Sequence, residues 1–136
     1  MKRKILIVED NVGLSQIQKD WLSRAGYDAV TAMSEPIARS LIRRMQFDLI
    51  LSDVRLPEGN GISLLEWLRK EKKDIPFIIT TEYVSVPDVV RTIKLGARDY
   101  LPKPVHREHL LELAEDVFHP VATVRKQERQ LFHRTS

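Results

Sequence analysis

At 136 residues the chain is long enough for one compact domain with a single core. Hydrophobic residues make up 43% and charged residues 30%, which argues against disorder; no apolar run approaches the roughly 20 residues of a membrane helix, and there is no cysteine for a disulfide framework. The net charge of +3 resides in residues 120–136, where Arg125, Lys126, Arg129 and Arg134 stand against Glu128 alone; the remaining 18 basic and 18 acidic residues leave the body neutral, without a nucleic-acid footprint, and the tail reads as a solvated basic segment.

Along the chain, strand-like and helical patterns alternate. Ile5–Val8 is a continuous apolar run, and it ends at once in Glu9-Asp10, too short for a signal peptide. Leu14, Ile17, Trp21, Leu22 and Ala25 recur at helical spacing, with Gly26 placed where a helix ends. A strand over Ala29–Thr31 follows. Ser34 then caps a helix that tolerates Pro36 in its first turn and carries Ile37, Leu41 and Ile42 on one face. Leu49–Leu51 is the third strand, and Ile62, Leu65, Trp67 and Leu68 mark the third helix. Phe77–Thr80 is the fourth strand; Ser85, with Asp88 three residues on, resembles a capping box for a helix that carries Val89, Val90 and Ile93 and stops at Gly96. A short strand over Asp99–Leu101 precedes a helix bearing Leu110, Leu111, Leu113, Ala114 and Val117, ended by Pro120. Five such units imply an α/β fold: one doubly wound parallel sheet with helices on both faces. The body is expected to span residues 1–119 and the basic tail 120–136.

In such a sheet the functional site lies at the carboxyl ends of the strands. Glu9-Asp10 end the first, Ser52-Asp53 the third and Thr80-Thr81 the fourth, and the fifth runs into Pro102-Lys103-Pro104. Three carboxylates, a hydroxyl and an ammonium therefore converge on one rim. Clustered carboxylates raise one another's pKa unless a cation joins them, and an oxygen-only donor set suits a hard ion such as Mg²⁺. A carboxylate beside Mg²⁺ and Lys103 can attack a phosphoryl donor and form an acyl phosphate, with Thr80 donating to one phosphoryl oxygen.

The segments VEDN (8–11), SDVRLPEGNG (52–61), PFIITT (76–81) and IKLGARDYLPKP (93–104), in this order and spacing, resemble the receiver domains of two-component response regulators over residues 3–119. The resemblance implies a flavodoxin-like strand order 2-1-3-4-5 and a cytoplasmic phosphoprotein. Residue by residue, it implies Glu9 and Asp10 as acids of the Mg²⁺ site shared with Asp53, Asp53 as phosphoacceptor, Thr80 as switch hydroxyl, Tyr100 as switch aromatic, Lys103 as phosphate partner and a cis peptide bond before Pro104. The implied activity is a signalling switch rather than an enzyme. A sensor histidine kinase supplies the phosphate, and the face formed by the fourth helix, fifth strand and fifth helix changes in response, with a homodimer on activation. DVRLP and GARDYLPKP further resemble receivers of the nitrogen-regulator type (sigma-54 activators), which precede an ATPase and a DNA-binding domain. Val117, Val121, Val124 and Leu131 suggest a short coiled-coil seam toward such an output domain, interrupted by Pro120 and Glu128. A free-standing receiver that binds a target protein is the alternative. Neither nucleic acid nor membrane is an expected partner of the body.

Each residue also has a plainer reading. Asp10 alone reads as a helix N-cap, Glu9 as a solvated strand end, Asp53 as a turn former before Pro57 and Gly59, and Lys103 as a solvated lysine. Thr80 and Tyr100 are ordinary strand residues, and Trp21 and Trp67 read as core. His106, His109, His119 and His133 show no metal-ligand pattern. Several positions depart from the family's pattern. Thr81 stands where a small residue is usual and is expected to narrow access to the phosphate. Asn60 replaces a common Asp with little expected effect. Arg55 and Glu82 flank the site and are expected to modulate hydrolytic water. Arg55 also argues against an Asp-dependent phosphohydrolase, which carries an acid two residues past its nucleophile.

Overall fold

The computed structural model describes residues 2–82 and 85–119. Five short parallel strands carry the core: β1 (Lys4–Val8), β2 (Asp28–Ala32), β3 (Leu49–Asp53), β4 (Phe77–Thr81) and β5 (Asp99–Pro102). They lie in the order β2-β1-β3-β4-β5, every neighbouring pair parallel, as expected for the flavodoxin-like arrangement. The chain crosses between them through α1 (Val12–Arg24), α2 (Glu35–Arg44), α3 (Gly61–Lys70), α4 (Val86–Lys94) and α5 (Arg107–Phe118).

Successive side chains of a strand face opposite sides, so each buried strand feeds two cores. Ile5 and Ile7 of β1, Leu49 and Leu51 of β3 and Ile78 of β4 pack with Leu22 of α1 and Leu110, Leu113 and Ala114 of α5. Leu6, Val8, Ile50, Phe77 and Ile79 pack on the other side with Ala38 and Ile42 of α2 and Leu64, Leu65 and Leu68 of α3. The strands run one or two residues beyond the apolar runs of the sequence, because the backbone ladder continues through polar side chains; Ser52, Asp53 and Thr81 are strand residues, and all are buried.

Three helices sit differently from their sequence pattern. The buried residues of α1 are Ser15, Gln18 and Leu22, spaced i, i+3, i+7, so Ile17 turns outward and is exposed. In α2 the buried set is Glu35, Ala38 and Ile42, and Ile37 is exposed. On α4 the apolar Val86, Val90 and Ile93 form an exposed stripe, while Thr92 is its buried residue. Trp21 and Trp67 are partly buried against the two cores, and the guanidiniums of Arg39 and Arg43 each lie 5.2 Å from the Trp67 ring centre. Ser34 and Ser85 cap α2 and α4 as expected. His106 occupies the N-cap of α5 without a side-chain bond, and His119 lies 3.8 Å from Glu115. No helix among the described residues is long and apolar enough to cross a membrane. The tail over 120–136, with Pro120, the seam of Val121, Val124 and Leu131, and His133, lies outside the described residues.

The outward turn of Ile17 separates two isoleucines that the sequence treats alike. Ile7→Ala, in a fully buried strand, is expected to cost about 2–5 kcal/mol in urea unfolding. Ile17→Ala is expected to change stability by no more than about 0.5 kcal/mol. Comparable losses for the two would contradict the placement of α1.

Candidate functional site

The rim residues are brought together by strand register. Val8 pairs with Ser52, Asp53 with Thr80, and Thr81 with Pro102, so the ends of β1, β3, β4 and β5 stand level. One step past β1, Glu9 still donates its backbone N–H to Ala32 at 2.9 Å, which keeps its side chain at the same rim. Together Glu9, Asp10, Asp53, Arg55, Thr81, Glu82 and Lys103 line one open cleft of about 450 Å³.

At its floor, the Lys103 ammonium donates to Glu9 Oε1 and to Asp53 Oδ2, both at 2.6 Å. All three groups are withdrawn from water: Glu9 is 2% exposed, Asp53 7%, and the Lys103 side chain 11%. These burials exclude the plainer readings of Glu9 as a solvated strand end and Lys103 as a solvated lysine. Burial pushes the Glu9 carboxyl above its usual range; hydrogen bonds from Lys103 and the Asn11 N–H work against that rise, and the Asp53 charge adds to it. Burial alone would lower the Lys103 pKa, but its hydrogen bonds to Asp53 and Glu9 outweigh that and raise it, so the lysine stays a cation.

The remaining oxygens are also placed. Asn11, not Asp10, caps α1: its Oδ1 accepts from the Leu14 N–H at 3.0 Å, while its own N–H donates to Glu9 Oε2 at 3.1 Å. Asp10 is thereby free of the capping role and lies exposed at the mouth of the cleft. Asp53 Oδ1 accepts from the Arg55 N–H at 3.2 Å. Glu9, Asp10 and Asp53 each offer a carboxylate oxygen, and these oxygens lie within 4.8 Å of one another. An all-oxygen cluster of this spacing, open to water on one side, fits a hard divalent cation such as Mg²⁺.

Thr80 is 2% exposed beside Asp53, and Thr81 is buried while still lining the cleft. The Lys103–Pro104 peptide bond is cis. Tyr100 is half-buried, and its hydroxyl is hydrogen-bonded to that of Thr92 on α4 at 2.9 Å. The sequence does not single out Thr92: a threonine among valines on an amphipathic helix has no signature until β5 packs beside it. Gly61 closes the SDVRLPEGNG segment, but its steric role does not show in the sequence. A Cβ there would collide with the Asp53 carbonyl oxygen, so the start of α3 passes against the end of β3 only because this residue has no side chain.

The chain is similar to known proteins in sequence and in fold. The family model described as the response regulator receiver domain matches residues 5–115. The response regulator protein PilR of Pseudomonas aeruginosa is 35% identical over 112 residues, and the transcriptional regulatory protein ZraR of Salmonella typhimurium is 38% identical over 114. These matches cover 82% and 84% of this chain but 25% and 26% of the relatives, so the chain spans about a quarter of their length. Among solved structures, the non-phosphorylated HemR receiver domain from Leptospira biflexa is similar with a TM-score of 0.81 at 37% identity, covering 87% of this chain and 95% of that one. A CheY-like receiver domain protein from Methanospirillum hungatei gives a TM-score of 0.82 at 29% identity, covering 96% and 99%.

The ion-pair geometry sets a pH-dependent expectation. Lys103→Met leaves Glu9, already pushed above its usual range by burial, beside Asp53 with no cation between them, so Glu9 should hold its proton to higher pH still. A carboxyl whose folded-state pKa lies above its unfolded value adds stability below the unfolded value and loses it as pH rises through the folded one. In chelator-containing buffer the substitution is therefore expected to cost little at mildly acidic pH and about 3–5 kcal/mol near neutrality. Urea unfolding at the two pH values checks this; an equal cost at both would contradict the shared ion pair.

Proposed function

The chain belongs to the response regulator receiver family, and on that footing we propose that it is a cytoplasmic signalling switch that takes a phosphoryl group on Asp53 from a sensor histidine kinase. The observation that carries this reading is the buried Asp53 carboxylate held at 2.6 Å by Lys103 beside two further acids. Glu9, Asp10 and Asp53 are the residues that would hold Mg²⁺, and Asp10 would be a more direct ligand than Glu9, both of whose oxygens already accept hydrogen bonds. The ion supplies charge neutralisation at the transferred phosphoryl group.

The chain's own residues do the rest. An Asp53 oxygen attacks phosphorus, and the bond from phosphorus to the donor nitrogen breaks with its electron pair leaving on the kinase imidazole. Lys103 exchanges its bond to the free carboxylate for one to a phosphoryl oxygen, and Thr80 donates to another. Thr80, drawn toward the phosphate, vacates space for Tyr100, whose hydroxyl bond to Thr92 carries the change into α4. Arg55 and Glu82, at the cleft mouth, govern the approach of hydrolytic water.

The α4-β5-α5 face is then the output surface, and the exposed stripe of Val86, Val90 and Ile93 supports that assignment. Activation pairs this face with a second copy and controls transcription through an output domain of the kind the relatives' length leaves room for. The same exposed stripe serves a receiver that acts by binding a separate target protein, which is the second reading.

Intact-mass analysis with acetyl phosphate and Mg²⁺ tests the acceptor. The parent is expected to gain one phosphoryl group and Asp53→Ala none; equal labelling of the two would sink the assignment. In the same assay Thr81→Ala, which removes a branched side chain from the cleft wall, is expected to be labelled and to lose its label faster than the parent. If both rates fall instead, the Thr81 hydroxyl helps more than its bulk obstructs.

A further inference from the structure

The loop that follows Asp53 has little burial of its own. Arg55 and residues 57–60 are exposed, and polar tethers hold the loop's shape: an antiparallel bridge between Arg55 and Asn60, and the Gly61 N–H donating to Val54 at 2.9 Å. The tether from outside the loop comes from α2. Glu35, at the first position of that helix, is a carboxylate only 5% exposed. Its Oε1 accepts the Asn60 N–H at 2.9 Å and the Ser63 hydroxyl, and its Oε2 accepts from the Arg39 guanidinium. Its own N–H donates to the Glu58 carbonyl at 3.3 Å. Gly59, at φ 80°, sits directly against it; a side chain there would be strained and would strike the Glu35 carboxylate.

Taking a carboxylate out of water is costly unless its oxygens are satisfied, and here the donors that satisfy it belong mainly to the loop and to the first turn of α3. At its other end the same loop presents the Arg55 N–H to Asp53 Oδ1 at 3.2 Å. We propose that Glu35 is a positioning residue for the acceptor: by fixing the loop 54–60 from α2, it fixes the Arg55 amide and so the direction in which the Asp53 carboxylate presents its oxygens to donor and metal. The proposal rests on the reading of Asp53 as phosphoacceptor. Glu35 touches neither the cation site nor the donor. Its effect passes through backbone alone, and the sequence shows only an acidic residue in a helix's first turn, where acids are commonplace.

Two substitutions separate positioning from simple support of the fold. Glu35→Ala removes the acceptor oxygens, while Glu35→Gln keeps one for Asn60 and Ser63 and gives up the charge pairing with Arg39. With acetyl phosphate and Mg²⁺, below the melting transition of every variant, Glu35→Ala is expected to label roughly tenfold or more slowly and Glu35→Gln close to the parent rate. In ¹⁵N spectra without Mg²⁺ or donor, the Arg55 amide resonance should move in Glu35→Ala and stay near its parent position in Glu35→Gln. Parent-rate labelling of Glu35→Ala, or a Gln variant as slow as the Ala variant, overturns the proposal. If Glu35→Ala does not fold, Ser63→Ala removes one donor from the same carboxylate and is expected to slow labelling by a smaller factor; an unchanged rate there overturns it equally. If the parent takes no phosphate at all, the acceptor reading fails separately, and an unmoved Arg55 amide in Glu35→Ala is then the result that overturns the positioning role.

Discussion

Two buried carboxylates, Glu9 and Asp53, share one ammonium, Lys103, and the rim of this sheet is organised around that imbalance. A single lysine cannot neutralise two acids, and Asp10 adds a third charge at the cleft mouth. The cluster is therefore electrostatically incomplete in a way that favours a divalent cation. The burial that raises the Glu9 pKa is what gives each charge its leverage, because charges interact strongly where water is excluded.

The fold supplies this arrangement through backbone register. Parallel pairing sets Asp53 beside Thr80 and Thr81 beside Pro102, so residues far apart in sequence meet without any loop having to hold them. Loops enter only around the strand ends. Asn11 caps α1 and steadies Glu9, and Glu35 tethers the loop whose amide meets Asp53. Away from the cluster the helices are less uniformly packed. Of all the residues of α4, Thr92 alone is buried, and it is bonded to Tyr100, which makes this helix the element with the least apolar packing to lose when the site changes.

Much of this was legible before any coordinates. Continuous apolar runs mark strands buried on both faces, and in a doubly wound sheet the next residues along must line the rim; that logic alone reaches Glu9, Asp53, Thr80 and Lys103. Helix orientation was less legible. Ile17 and Ile37 look like core residues by period, yet the faces that pack carry Ser15 and Gln18 in α1 and Glu35 in α2, because contacts with the sheet and not residue hydrophobicity set each rotation. Asn11 as the cap of α1 was hidden by the equally good candidate beside it, Asp10. Thr92 and Glu35 had no local signal at all, and Gly61 had only its place at the end of a motif. Their roles come from what another element places against them, and one sequence does not carry that information.

The proposed switch requires a change at Asp53 to reach α4 through Thr80, Tyr100 and Thr92, and amide NMR of the protein titrated with Mg²⁺ and beryllofluoride measures this directly. The expected result is saturable movement of the Asp53, Thr80 and Lys103 resonances together with those of Tyr100, Thr92 and the rest of α4, absent in Asp53→Ala. Movement that persists in Asp53→Ala, or that stops at the rim and leaves Tyr100 and α4 unmoved, would contradict it.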